Sequence, residues 1–480
     1  MQLMTPETAL THSPPAPWQR RLAWLAPAFI VAVILSRMLL LLGGTGTTRI
    51  LLRFGTFAGS LLLLFLLPWR GRRHPSALAL LWVMIILGFE FFHPQTNSML
   101  AGMAQWGFYL AILSPLLWVP RLEINQRGMR IALFLLWLFY SLSAGFGVLQ
   151  MYYPGRFQPT LSPVIASLGP QVQGLMIHLA NGKDVFRPMG LTDTPGGAGI
   201  AGLWAILFSL GILLSESPYW LRALCLVSIS LGLVCIVLSE IRLVMVMLLI
   251  ILAVLALGLI WRNDWLRLLR WTVLIGLLLG ASLSWALSVG GKQTLRRLQS
   301  LGQSYHGQNL YEVDRGRFLR QTYKVDLLKY PFGAGMGRWG MMNYYFGVQN
   351  NPRSLPLYVE IQWTGWIFDG GIPLTLCYLA AILIAVGAMV KIVASKQSLL
   401  RDLRFWAMIV LAYNIACLAA TFDYPFFASQ SGMMFWFLNA MIFAAWLAQR
   451  QRAAQAAPLA MPLPLQPGAW ASKLRTVWPL

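Results

Sequence analysis

Acidic residues are scarce in this chain: 15 Asp and Glu stand against 37 Lys and Arg in 480 residues, and charged residues of all kinds make up only 11%. Soluble domains carry roughly 25% charged residues. With 58% hydrophobic residues and a mean hydropathy of +0.64, the chain is excluded from that class. Cysteine is equally sparse. Cys225, Cys235, Cys377 and Cys417 all fall inside apolar runs, which excludes a disulfide framework and a cysteine metal site. The histidines, His12, His74, His93, His178 and His306, are scattered singly, so neither a metal centre nor a cofactor is expected. Nothing before the first apolar run reads as a cleavable leader, since the stretch to Arg21 is polar, short and proline-containing.

What the chain has in abundance is long apolar sequence. Twelve runs are candidate membrane spans: 22–43, 50–68, 77–92, 105–120, 131–152, 197–215, 220–239, 243–261, 266–288, 365–390, 405–421 and 431–448. About 20 residues of helix cross a hydrocarbon core of ~30 Å, and the third and fourth runs are the short ones. An even number places both termini on one side, and basic residues choose the side. With the N-terminus cytoplasmic, twenty Lys and Arg fall on inner segments and only Arg49 and Arg242 on the short outer loops. The expected architecture is an all-α polytopic membrane protein of about 12 transmembrane helices. It comprises a cytoplasmic segment 1–21, helices through 22–288 with an outer loop 153–196, a large outer loop 289–364, helices through 365–448 and a cytoplasmic Ala/Pro-rich tail 449–480. Within the outer loop, 162–180 reads as an amphipathic or re-entrant piece at the interface.

The net charge of +22 divides by side. Most of it obeys the positive-inside rule, and the inner bases are scattered without interleaved aromatics, which excludes nucleic acid as a partner. Ten outer bases crowd into one loop, 288–355. That concentration points to an anionic lipid or a phosphorylated external substrate. No internal repeat relates the two halves, and Arg37, Arg53 and Glu90 are the clear charges within spans, where each can snorkel or pair. A transporter is expected to show more, so the apolar body reads as a scaffold for chemistry at the outer face.

Several segments deliver arginine to that face: Arg187 before the sixth span, Arg242 at the start of the eighth, and Arg315, Arg317 and Arg320 in the large loop. Arginine stays charged and its planar fork matches phosphate oxygens two at a time, so these five are candidate diphosphate ligands. Each also has a structural reading. Arg242 follows Glu240 and suits an interfacial anchor; Arg187 suits a turn capped against Asp184 or Asp193; the loop arginines suit pairs with Glu312, Asp314 and Asp326. The turn Tyr330-Pro-Phe-Gly-Ala-Gly-Met-Gly337 has no Lys-Ser/Thr of a nucleotide loop, and reads as backbone needing positive φ or close approach. Glu360, at the outer entrance to the tenth span, is the candidate general base, with Asp369 and Asp423 as rivals. Tyr305, Trp339, Tyr344 and Tyr345 suit an interfacial aromatic belt or, alternatively, stacking on sugar rings.

Taken in order, Arg187-Pro-Met-Gly-Leu, Ser239-x-x-Arg242, Gly316-Arg-Phe-Leu-Arg-Gln, the glycine turn and the segment from Glu360 to Gly371-Ile-Pro resemble the O-antigen ligase and polysaccharide polymerase superfamily. The likeness covers roughly residues 180–380. It implies a fold similar to the C-type glycosyltransferases in a bacterial inner membrane. It further implies metal-independent, inverting transfer of glycan from an undecaprenyl-diphosphate carrier to a glycan or lipid acceptor at the periplasmic face, alongside other polysaccharide-assembly proteins. Arg187, Arg242 and Arg317 would then hold the diphosphate, and Glu360 would activate the acceptor hydroxyl, with Arg242 beside it. The ligase branch usually has a histidine followed by Asn or a similar residue where this chain has Glu360-Ile361, and a second glycine where this chain has Leu374. These departures favour a polymerase-like or divergent member. The alternatives from other classes are a flippase or exporter of lipid-linked sugar, and a non-catalytic subunit of an export complex.

Overall fold

The computed structural model describes residues 22–41, 46–69, 73–161, 169–215, 217–299, 304–305, 308–313, 315–395 and 401–456. The segment 1–21, Asp314, the tail beyond 456 and part of the expected interfacial piece lie outside them. Over its described residues each of the twelve apolar runs falls largely on helix. The helices are α1 (Leu25–Leu41), α2 (Gly46–Leu66), α3 (Ala77–Glu90), α4 (Met99–Leu113), α5 (Gln126–Tyr152), α6 (Gly197–Leu214) and α7 (Tyr219–Ser239). They continue with α8 (Arg242–Trp261), α9 (Trp265–Gln299), the short α10 (Arg315–Gln321) and α11 (Gly340–Phe346), then α12 (Gln362–Ala394), α13 (Arg401–Ala420) and α14 (Gln430–Ala456).

Among the described residues nine helices are long and apolar enough to cross a membrane, or ten if α4 is joined to Pro115–Arg121 across a 43° bend. The chain is therefore a multi-pass, mostly helical membrane protein. Two of the twelve expected spans, α1 and α3, are shorter apolar helices of 17 and 14 residues. At 1.5 Å per residue they extend only ~26 and ~21 Å.

Local chemistry sets the boundaries. Ser98 and Asn125 cap α4 and α5, accepting the N–H groups of Ala101 at 3.1 Å and Gly128 at 2.7 Å. α7 stops where Glu240 adopts φ 53°, unusual for a residue with a side chain, and α8 restarts at Arg242. The 162–180 segment is different from its expectation over the part described. Gly169–Leu175 is a 3-10 turn, followed by β1 (Met176–His178) paired antiparallel with β2 (Asp184–Phe186). The sequence signal for this hairpin is Asn181-Gly182, with Gly182 at φ 79°.

In lipid, helices gain little from burying apolar area against each other, so packing rests on close approach and matched polar groups. Gly202 on α6 meets Gly232 on α7, and a Cβ at either would press on the other's carbonyl oxygen. Asn414 and Asn439 exchange amide hydrogen bonds at 2.8 and 2.9 Å between α13 and α14. α14 is buried on nearly all sides, with Phe435, Trp436, Phe437 and Leu438 at zero exposure. The contacts also sort the two ends of the bundle. At one end Arg130 pairs with Asp402; at the other, residues 330–360 meet 91–98 and 421–430. The latter is called the loop end below.

Candidate functional site

The glycine turn organises the loop end. Gly333, Gly335 and Gly337 all have positive φ, and the backbone between them is spent on the protein itself. Ala334 N–H donates to the Phe368 carbonyl at 2.7 Å, Gly337 N–H to Gln105 Oε1 at 3.0 Å, and the Met336 carbonyl accepts from Asn97 N–H at 3.0 Å. A Cβ at Gly333 would strike the Glu90 carboxylate at the end of α3. The plain structural reading of this motif therefore suffices, and these groups are not offered to a phosphate. Arg338, directly after the turn, donates to the carbonyls of Ala334 at 2.7 Å and Leu355 at 3.0 Å. Burial lowers its pKa from the ordinary arginine value, yet the charge stays locked into loop structure.

Beneath the turn lies Asp369, one of the rival carboxylates. It is wholly buried and accepts from Gln105 Nε2 at 2.7 Å, Trp339 Nε1 at 2.7 Å and Tyr109 OH at 2.6 Å. Three neutral donors, not an arginine, satisfy it. α12 breaks immediately afterwards, at Gly371 with φ 64°. Trp339 is thus committed to the core, while Tyr344 is exposed and Tyr345 packs edge-on to Phe54 at 6.1 Å. Tyr305 belongs to a two-residue strand whose partner is Gln308–Asn309.

Glu360 lies in the extended segment just before α12, where Gln362 N–H donates to the Thr421 carbonyl at 3.0 Å. That bond brings the α13–α14 connection alongside, and with it Asp423. Arg315, the first residue of α10, pairs with Glu360 through Nη1 and reaches Asp423 Oδ1 through Nε at 3.5 Å. The Tyr358 hydroxyl donates to the other Glu360 oxygen. Three segments far apart in sequence therefore converge on one arginine and two carboxylates. The remaining loop arginines point elsewhere. Arg317 lies 4.7 Å over the Phe318 ring, and Phe318 packs on Tyr358 at 5.7 Å; Arg320 Nη2 donates to the Glu312 carbonyl at 3.0 Å. Both are exposed.

Arg187 and Arg242 gather around a different loop, 187–197. Arg187 continues the β hairpin, its backbone N–H donating to Leu175 and its Nη2 to Gly174, each at 3.0 Å. Its expected carboxylates have other partners: Asp184 meets His178, and Asp193 meets Arg49 and Arg53. Arg242 opens α8 directly after Ile241, which packs against Gly196, while Glu240 accepts from Thr294 Oγ1 at 3.3 Å.

The structure adds a feature that the sequence reading passed over. Arg37 and Arg53, charges within spans that can each snorkel or pair, line one cavity of about 330 Å³ with Thr56, Tyr140, Asp193 and Gln430. Arg37 Nε donates to Gln430 Oε1 at 2.8 Å and its Nη1 to Tyr140 OH at 3.4 Å. The signal that could have found this site is positional. Arg37 lies four residues before the end of α1 and Arg53 seven residues into α2, so both are roughly 6–10 Å from the same end of the bundle. Among the described residues no group of three His, Cys, Asp or Glu side chains is arranged for a metal ion.

No family model matches this chain, and no curated protein matches it either.

Proposed function

We propose that the protein is a bacterial inner-membrane glycosyltransferase that polymerises or transfers a lipid-diphosphate-linked polysaccharide at its loop end. The observation that carries this reading is the convergence of Arg315, Glu360 and Asp423. Glu360 is held by Arg315 and Tyr358, so its oxygens are aimed and occupied at rest. A diphosphate competes for Arg315 through charge-assisted, bidentate hydrogen bonds, and Asp423 offers that arginine a second anchor. Release of Glu360 Oε1 leaves a carboxylate free to take the proton of an acceptor hydroxyl, which attacks the anomeric carbon as the glycosidic bond to the diphosphate breaks. The departing diphosphate keeps the electron pair and its negative charge is stabilised by arginine. Attack opposite to the leaving group gives inversion. Arg317 and Arg320 on α10, and Arg187 and Arg242 on other segments, add positive charge at the same end.

The test is made in the native host by sizing surface polysaccharide after Glu360→Gln and Arg242→Ala substitution. Loss of long chains with normal protein levels is the expected result; wild-type chain lengths from both variants sink the assignment.

A second reading, a flippase for lipid-linked sugar, is favoured by the cavity around Arg37 and Arg53. Against it, Phe29, Trp118 and Phe437 pack ring to ring at 5.3–6.0 Å further along the bundle and are almost wholly buried. A flippase tolerates Glu360→Gln and loses translocation with Arg37→Gln, which separates the two readings.

A further inference from the structure

Among the described residues Arg37, a cation on an apolar helix, has only neutral partners. Its hydrogen bonds go to Gln430 and Tyr140, its guanidinium sits 5.8 Å from the Tyr140 ring, and among the described residues no carboxylate lies within ion-pair distance of it. A charge so placed in a membrane bundle is retained for a pathway or a ligand far more often than for stability. On α2, Arg53 is treated differently. Asp193 Oδ2 lies 2.8 Å from Arg53 Nη2 and 3.2 Å from Arg49 Nη2, so one carboxylate oxygen serves two guanidinium groups. Within the cavity wall Arg37 and Arg53 stand against Asp193, which Arg49 also holds, so moving Asp193 onto Arg49 leaves two positive charges there. Arg37, Arg53 and Asp193 line the same cavity, whose volume of about 330 Å³ falls in the range of ~300–1,000 Å³ usual for small-molecule sites. Ser143, Thr192 and Gln430 add hydroxyl and amide groups to its wall.

We propose that this cavity binds a diphosphate group, clamped between Arg37 and Arg53, and that Asp193 is a resident counter-anion which the ligand displaces from Arg53. A ligand with at least two negative charges balances the excess that Asp193 leaves. Two guanidinium forks on facing helices match two phosphoryl groups, each taken bidentately. The diphosphate comes either from a polyisoprenyl carrier, which the apolar Leu40, Leu52 and Ile200 of the same wall suit, or free from solution. The site concerns anion binding and does not depend on glycosyl transfer.

The experiment uses the purified full chain in a non-ionic detergent, titrated with inorganic pyrophosphate and separately with a short-chain isoprenyl diphosphate. Binding is read by calorimetry and by tryptophan fluorescence, since Trp204 stacks on Tyr140 at 5.4 Å. Arg37→Gln is expected to weaken binding roughly tenfold or more, and Arg37→Lys to fall between, because it keeps the charge and loses the fork. Asp193→Asn is expected to tighten binding severalfold by removing the competitor, an effect that a purely structural aspartate does not produce. Arg130→Gln, at the opposite end of the bundle, leaves affinity unchanged. Binding of both probes assigns the site to the diphosphate itself, and binding of the isoprenyl compound alone assigns it to a lipid carrier. The proposal is overturned if the wild type binds neither probe, if both Arg37 variants melt normally and bind like the wild type, or if folded Asp193→Asn binds no tighter. Normal polysaccharide from Glu360→Gln would remove the transferase reading and leave this site standing.

Discussion

Trp339 donates its indole N–H to Asp369 at 2.7 Å, tying the residue that closes the glycine turn to the helix that breaks beneath it. With Gln105 and Tyr109 as the other donors, Asp369 holds the loop, α4 and α12 in one arrangement. Replacing it by Ala strands three buried donors, each worth ~1–3 kcal/mol when left unsatisfied. Asp369→Ala should therefore lower the melting temperature in detergent strongly, and Asp369→Asn less, since an amide oxygen still accepts. Equal melting of Asp369→Ala and wild type would show that the network carries no stability.

Gly371 has φ 64°, and a Cβ there would collide with the Pro331 carbonyl oxygen. That oxygen already accepts Ile372 N–H at 2.8 Å, so the backbone cannot give way cheaply. Gly371→Ala is expected to cost at least the ~1–3 kcal/mol of a forced conformation, seen as a lower yield of monodisperse protein. Gly387 on the same helix has open space around it, and Gly387→Ala should be neutral. A Gly371→Ala protein that behaves like Gly387→Ala contradicts the packing described.

Arg315 and Glu360 act on each other directly, so their substitutions should not add. With Glu360 as the base, Glu360→Gln lowers transfer by roughly 10²–10⁴-fold, and adding Arg315→Ala to it lowers transfer by less than Arg315→Ala does alone, the remainder being the arginine's hold on the diphosphate. Full additivity in single-turnover rates would mean that the two side chains serve separate steps.

His74 lies outside the spans, only 1% exposed, with its ring edge-on to Phe443 at 4.7 Å and Nδ1 accepting Ser76 N–H at 3.2 Å. Burial lowers its pKa from 6.5 to about 3. The folded state thus keeps the ring neutral while the unfolded chain binds a proton. Stability from this group is full above pH ~6.5 and is lost as pH falls toward 3, amounting to about 2 kcal/mol by pH 5. His74→Phe should flatten the melting curve against pH between 7.5 and 5. An unchanged slope in that variant would assign the acid sensitivity elsewhere.

The apolar runs were legible because a ~20-residue stretch without charge has one stable state in lipid, with its backbone hydrogen bonds made internally. The glycine turn was legible too, since Gly333, Gly335 and Gly337 occupy conformations that other residues resist. The hairpin at 176–186 was missed because three-residue strands carry little periodicity, leaving Asn181-Gly182 as the main clue. In the sequence Arg37 and Arg53 stand as single charges on separate apolar runs. Their significance depends on α1 and α2 facing one another across a cavity, which no local pattern expresses.

By itself the sequence determined a multi-pass helical body and a loop dense in arginine, because hydropathy and charge act residue by residue on partition into the membrane. Which arginines meet which carboxylates was decided only by the tertiary structure. Arg315 chose Glu360 and Asp423, Asp193 chose Arg49 and Arg53, and Asp369 chose three neutral donors. Ion pairing falls off within a few ångströms, and such distances between residues scores or hundreds apart in the chain exist only once the helices have packed.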